Sequence, residues 1–218
     1  RDEFDRIIVK KEIISNYKGL VSRIWENEEY HTAIVKKAAE LYFDWAKENH
    51  IPPITPANPV ENRLHFRQTI ANCKGHLHWV DRYFNYEGLE FLMHGLNMQD
   101  VKHVKILTSV YQNGVNQKLY NEFEKFQNEM KLKGILCEMQ VIMTKDLHRQ
   151  MHDRFIIAEN VTYNVPSPTT VNLGQYSEIK KSTAIVPFDE WWNSSESVNI
   201  LQNWDKIKEK REQLSRRH

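Results

Sequence analysis

The sequence predicts an α/β fold: a mixed sheet flanked by helices, preceded by an N-terminal helical arm. Three observations predict it. Short β-rich runs alternate with helix-period segments between residues 78 and 165, the pattern of βαβ units. The first fifty residues carry apolar side chains at three-to-four spacing. Between these regions lies a proline-rich run that no helix interior tolerates.

In the arm, Ile7, Ile8, Ile14, Tyr17, Val21, Ile24 and Trp25 recur at helical spacing. Ala33, Ile34, Ala38, Leu41, Tyr42 and Trp45 continue the pattern to about His50. The run from Ile51 to Pro59 holds four of the seven prolines and reads as an extended linker. The domains are therefore 1–50, a helical arm for oligomerisation or partner docking; 51–59, the linker; and 60–218, the α/β domain with a C-terminal helix. Within the last, helices are expected from Val60 to Cys73, Glu87 to Met98 and Asn116 to Lys133, where Gly134 stops the third. Strands are expected at His78 to Tyr83, Val104 to Ser109, Ile135 to Met143, Phe155 to Ala158, Val161 to Val165 and Ser182 to Val186. Asn160-Val161 reads as a tight reversal. From Phe188 to the end the chain reads as helix.

Composition narrows the function classes. The chain has 218 residues, 40% of them hydrophobic, enough for one sizeable core. Mean hydropathy is −0.66 and there is no long apolar run, which excludes a membrane-spanning helix. Thirty Lys and Arg stand against 29 Asp and Glu, for a net charge of +1. Any anion site must therefore be a local groove rather than a basic surface. Two cysteines, Cys73 and Cys137, fit a reducing, cytoplasmic setting. The chain opens on Arg1, not Met, and reads as a piece of something longer.

The most informative stretch runs from Leu147 to Ser167. His152 and Arg154 are two apart at the start of an expected strand, so they should project from one face. An imidazole beside a guanidinium suits a phosphoester: the first attacks phosphorus or moves a proton, the second forks onto phosphate oxygens. The segment resembles the signature of the phospholipase D superfamily: His, any residue, Lys, four residues, Asp, six residues, Gly-Ser. His152 stands at the His, Arg154 at the Lys, Glu159 at the Asp, and Pro166 and Ser167 at the Gly-Ser. The spacing matches throughout; only His and Ser are identical. Asn172 is nearest to the Asn that follows in the family, and Glu178 to its downstream acid. The likeness covers roughly residues 60 to 205. It extends to a divergent branch with small prokaryotic phospholipase-D-like proteins and the C-terminal domains of MIT proteins, thought to bind phospholipid.

The resemblance implies a metal-independent phosphodiesterase, most simply a nuclease. A histidine nucleophile forms a phosphohistidine, and a histidine from a second motif protonates the leaving oxygen. This chain has a single copy, so the resemblance implies a homodimer meeting across the site. It assigns catalytic roles to His152, Arg154, Glu159, Ser167, Asn172 and Glu178, with no cofactor and no metal. His148 and Arg149 beside the motif, and Asp81 and Arg82 where the first strand should end, are candidates for substrate binding, because α/β sheets place ligands at strand carboxyl ends. Expected partners are nucleic acid or a phospholipid head group, a second copy, and a protein docking on the N-terminal helices. Two rival readings accompany this one. The altered positions, Arg154, Glu159 and Pro166, fit a binding module that hydrolyses nothing; the whole fits a dimerising or regulatory part of a larger protein, such as a phage-defence component. His76 and His78 share a strand face but lack a third ligand, and Trp191 and Trp192 read as core or interface anchors. The basic tail reads as a solvated helix face.

Overall fold

A computed structural model of the chain describes residues 51–216. The expected helical arm, residues 1–50, lies outside the described residues. From Ile51 onward the chain forms one compact unit.

Its centre is a mixed seven-stranded sheet in the order β6-β5-β4-β1-β2-β3-β7. Strands β1 (Gly75–Val80), β2 (Val101–Ser109) and β3 (Leu136–Ile142) are parallel neighbours. β4 (Phe155–Ala158), β5 (Thr162–Asn164) and β6 (Lys180–Lys181) extend one side antiparallel, and β7 (Ser197–Asn199) closes the other. The helix α1 (Pro59–Ala71) precedes β1, while α2 (Tyr86–Gly95) and α3 (Gln117–Leu132) connect β1 to β2 and β2 to β3. Each begins for a local reason. Pro59 opens α1, where its missing N–H costs nothing. Asn85 and Asn116 cap α2 and α3 by accepting from the N–H groups of Gly88 and Leu119. α3 ends at Gly134, whose φ of 74° is a left-handed conformation open to glycine.

Alternation along each strand divides the apolar residues between two cores. Leu77 and Trp79 of β1, with Val104 and Ile106 of β2, pack beneath Phe66, Leu92, Phe123 and Phe126 of the three helices. The opposite face carries a smaller cluster at the carboxyl ends of the parallel strands: Val80, Leu107 and Ile142 under Leu147, Met151, Phe155, Phe188 and both Trp191 and Trp192. Leu147 belongs to α4 (Lys145–Gln150), and the tryptophans to α6 (Phe188–Trp192). α5 (Pro168–Asn172) and α7 (Trp204–Ser215) complete the described elements.

The structure departs from the sequence reading in four places. The first strand ends at Val80 rather than Tyr83. There the Asp81 carboxylate accepts from the Tyr83 N–H at 2.8 Å and turns the chain. No strand forms over Ser182–Val186; pairing of β6 to β5 stops after the Ser182 N–H reaches the Thr162 carbonyl, because Thr162 is the first residue of β5. The C-terminal region is not continuous helix, since β7 pairs with the open edge of β3. The run 51–58 is non-helical as expected but docks on the domain. Ile54 is fully buried and exchanges backbone bonds with Ser177.

Gly114 ties two loops together: a Cβ there would sit 2.2 Å from the Phe84 carbonyl oxygen. Gly114→Ala should cost about 1–3 kcal/mol of unfolding free energy, the penalty of forcing packed backbone apart. Urea denaturation of the two proteins checks this.

Candidate functional site

Three parallel strands deliver their carboxyl ends to one edge, and the loops leaving them carry most of the chain's candidate chemistry. β1 continues into Asp81, Arg82 and Tyr83. β2 ends at Ser109, followed by Tyr111. β3 leads into α4, which bears His148 and Arg149, and then into the irregular residues 151–154. This is where open α/β sheets bind ligands, because strand ends leave loops free to vary over a rigid base.

Asp81 is the deepest of these groups. It is fully buried, and Arg154 brings its Nε to 3.3 Å from Oδ1. The contact is an ion pair rather than an aligned hydrogen bond; Oδ2 of Asp81 and the Nε atoms of Arg82 and Arg154 have no hydrogen-bond partner among the described residues. Burial pushes the Asp81 carboxyl up to about 7, against the opposing pull of the Tyr83 N–H and Arg154. The Tyr83 ring lies under two guanidinium groups, Arg82 at 5.0 Å and Arg154 at 4.7 Å from its centroid. Such stacking leaves guanidinium N–H groups available to an anion.

His148 is the second fixed point. Its Nδ1 lies 2.9 Å from Ser109 Oγ, in a bond whose direction depends on the tautomer. Ser109 is buried and also accepts from the Tyr111 N–H at 3.3 Å. The Tyr111 ring lies 5.3 Å from the imidazole. Nε2 of His148 makes no hydrogen bond among the described residues. Burial lowers the His148 pKa first, and the charges of Arg82, Arg149, His152 and Lys145 lower it further. His148, His152 and Arg82 all belong to the segments that leave this edge.

The motif residues divide. His152 is exposed and sits in the loop before β4, its N–H bonded to the Gln150 carbonyl at 3.0 Å. It therefore does not share a strand face with Arg154, as the spacing suggests. β4 begins only at Phe155, opposite Val80, and β1 has nothing beyond Val80 to pair with residues 152–154. Glu159 leaves the group altogether. It follows the far end of β4, about 16 Å of strand from Arg154. There its N–H meets the Lys74 carbonyl and its carboxylate lies 3.7 Å from His76 Nδ1. Ser167 is spent as the cap of α5, accepting from the Thr170 N–H at 3.1 Å. Asn172 lies in the last turn of that helix. Glu178 is exposed and paired with Lys180 near the outermost strand, two strands out from β4. Arg149 is exposed, 3.8 Å from Asp146.

Sequence reasoning misses Tyr83, Ser109 and Tyr111. A hydroxyl and an aromatic just after a β-rich run, within reach of a later His, were the available signal for the last two. The amino half of the opposite sheet face holds His76, His78 and His103. His78 stacks on Phe188 at 4.2 Å, and burial with neighbouring positive groups lowers its pKa to about 3. His103 is 2.8 Å from Glu138. No group of three or more His, Cys, Asp or Glu among the described residues is arranged to hold a metal. Both cysteines are buried, their thiols pushed up to about 12 by burial. Trp191 and Trp192 belong to the smaller core. No helix among the described residues is long and apolar enough to cross a membrane.

No known protein family matches the chain, and no curated protein does. Among solved structures, TrmBL2, described as an archaeal chromatin protein with a novel mode of DNA binding, is similar over 95% of this chain and 67% of its own. Identity is 13% and the TM-score 0.32, a likeness too distant to carry an argument.

Two predictions follow from the geometry. A carboxyl raised when folded keeps its proton between about pH 4 and 7, where the unfolded chain has lost it, so stability falls as pH rises through that window. Asp81→Asn should flatten the dependence, read by thermal unfolding at several pH values. The His148 ring should titrate below the ordinary imidazole range, and Arg82→Gln should move its midpoint up, read by NMR of the imidazole protons.

Proposed function

We propose that the carboxyl edge of β1 to β3 is a phosphodiester site, and that the protein is a metal-independent phosphodiesterase of the phospholipase-D-like type acting on nucleic acid. The observation that carries the reading is that His148, His152, Arg82 and Arg154 all stand on the segments leaving that edge, with both guanidinium groups over the Tyr83 ring. The guanidinium groups neutralise phosphoryl oxygens as charge builds on them. One imidazole attacks phosphorus, and the bond to the leaving oxygen breaks as that oxygen takes a proton from the other imidazole. Water then attacks the phosphohistidine, gives its proton back to the second imidazole and frees the first. The resemblance puts the attack on His152. His148, held by Ser109, takes the proton-moving role that the family draws from a second motif. Because His148 resists protonation, the proton-giving step gains from mild acid, and the rate should rise on the acidic side of neutral.

The test is hydrolysis of bis(p-nitrophenyl) phosphate and labelled oligonucleotides in EDTA. His152→Ala and His148→Ala should each lose about a hundredfold or more, with a phosphohistidine trapped on the wild type. Full activity in His152→Ala, or none in wild type with EDTA, overturns it. Mixing the two inactive variants reads the homodimer: recovery of activity means that the site is shared between copies.

A second reading is favoured by the place of Glu159 and by Pro166, which offers no N–H to phosphate. On it the edge binds the phosphate of nucleic acid or of a lipid head group without cleaving it. Salt-sensitive binding that falls on Arg154→Ala, with no hydrolysis by the wild type, is its signature.

A further inference from the structure

Away from that edge, a groove of about 460 Å³ lies between the start of α3 and the length of α7. From α7 it is lined by Trp204, Lys208, Arg211, Glu212, Ser215 and Arg216; the first three and Ser215 fall on one stripe of the helix, three or four residues apart, with Arg216 beside it. Lys208 is held by Asp205 at 2.7 Å and Arg216 by Glu212 at 3.7 Å, both surface pairs of small energy. Arg211 differs. It is half-buried, and its guanidinium has neither a carboxylate nor a hydrogen-bond acceptor among the described residues. A half-buried guanidinium without a protein counterion can fork onto the oxygens of a bound anion.

Trp204 gives the groove its second property. Its indole stacks on Tyr120 at 4.6 Å, and its Nε1–H donates to Gln117 Oε1 at 3.1 Å. The ring is fixed before any ligand arrives, so stacking on it costs little ordering. Cations aligned beside a fixed aromatic plane match a strand of phosphates and bases. A small anion would use the first and ignore the second. The same helix also reaches toward the edge described above. Lys210, next to Arg211, lies 6.0 Å over the Tyr111 ring, and that ring lies 5.3 Å from His148.

We propose that this groove is a binding track for single-stranded nucleic acid, in which Lys208, Arg211 and Arg216 take successive phosphates and a base stacks at Trp204. The proposal deepens the phosphodiester reading, resting on it for where the strand goes: past Tyr111 to His148. The track makes a long single strand the substrate rather than a small phosphodiester. Asp205 beside the groove and Glu212 in its lining oppose binding, because each must release its cation as phosphate enters.

The test uses the full chain with Arg211→Gln, and separately Lys208→Gln with Arg211→Gln. Neither alters a residue of the Trp204–Tyr120 stack. Binding of a labelled oligothymidylate is followed by fluorescence anisotropy across a salt series. The double variant should bind about tenfold or more weakly, and the slope of log affinity against log salt should shrink by about 1.4, the release from two phosphates of a single strand. Hydrolysis of bis(p-nitrophenyl) phosphate should be unchanged in both, because that substrate does not reach the groove. An unchanged oligothymidylate affinity and salt slope overturns the track, as does equal loss of binding to duplex DNA or to anionic vesicles. Failure of the edge itself would read differently: no hydrolysis of the small substrate by any protein, with the oligothymidylate effect intact.

Discussion

Everything at the candidate site depends on one pairing, the antiparallel register of β4 against β1 with Phe155 opposite Val80. That register puts Arg154 next to Asp81 at the carboxyl end of β1. It also sends Glu159 to the amino end, beside Lys74 and His76. A one-residue slip would swap the faces of β4 and expose Phe155, so burial of Phe155 in the smaller core fixes the position of the arginine. The apolar cluster beneath α4 does the same for His148. Leu147 and Met151 anchor the short helix, and His148 is left to meet Ser109 at the end of β2. The site is thus a by-product of hydrophobic register, with its polar groups positioned by neighbours that touch no substrate.

The buried carboxyl of Asp81 shows what that positioning costs. A charge removed from water is stabilised only where its partners are well placed, and one of its oxygens has none among the described residues. The fold tolerates it because the same side chain turns β1 into the loop that carries Arg82 and Tyr83. Arg154 in turn is held by Asp81 on one side and by the Tyr83 ring on another. Local destabilisation of this kind, at the mouth of a rigid sheet, is where proteins keep groups whose charge must respond to a ligand.

Much of the architecture was legible. The alternation of β-rich and helical runs carries the order of β1 to β5, and the asparagine and glycine signals at Asn116 and Gly134 bound α3 within a residue or two. The errors lie where pairing, not composition, decides. Ser182–Val186 has strand-forming residues but no partner strand, whereas the short β7 exists because β3 had an open edge. The site was half legible. Period-two logic brought His152 and Arg154 together, but a loop, not a strand, carries His152. Fixed motif spacing could not show that a four-residue strand separates Arg154 from Glu159 by its whole length. Ser109 and Tyr111 are unremarkable in sequence, because their role comes from a histidine about forty positions away that only the fold supplies.

The central claim is that one sheet edge holds phosphate through His148, His152 and Arg154. The most direct measurement is an NMR titration of the full chain with dimethyl phosphate, following the histidine ring protons and the arginine Nε–H signals. The account predicts that His148, His152 and Arg154 shift together along one binding curve while His76, His78 and His103 stay still. Shifts confined to His76, His78 and His103, or none at His148 and Arg154, would contradict it.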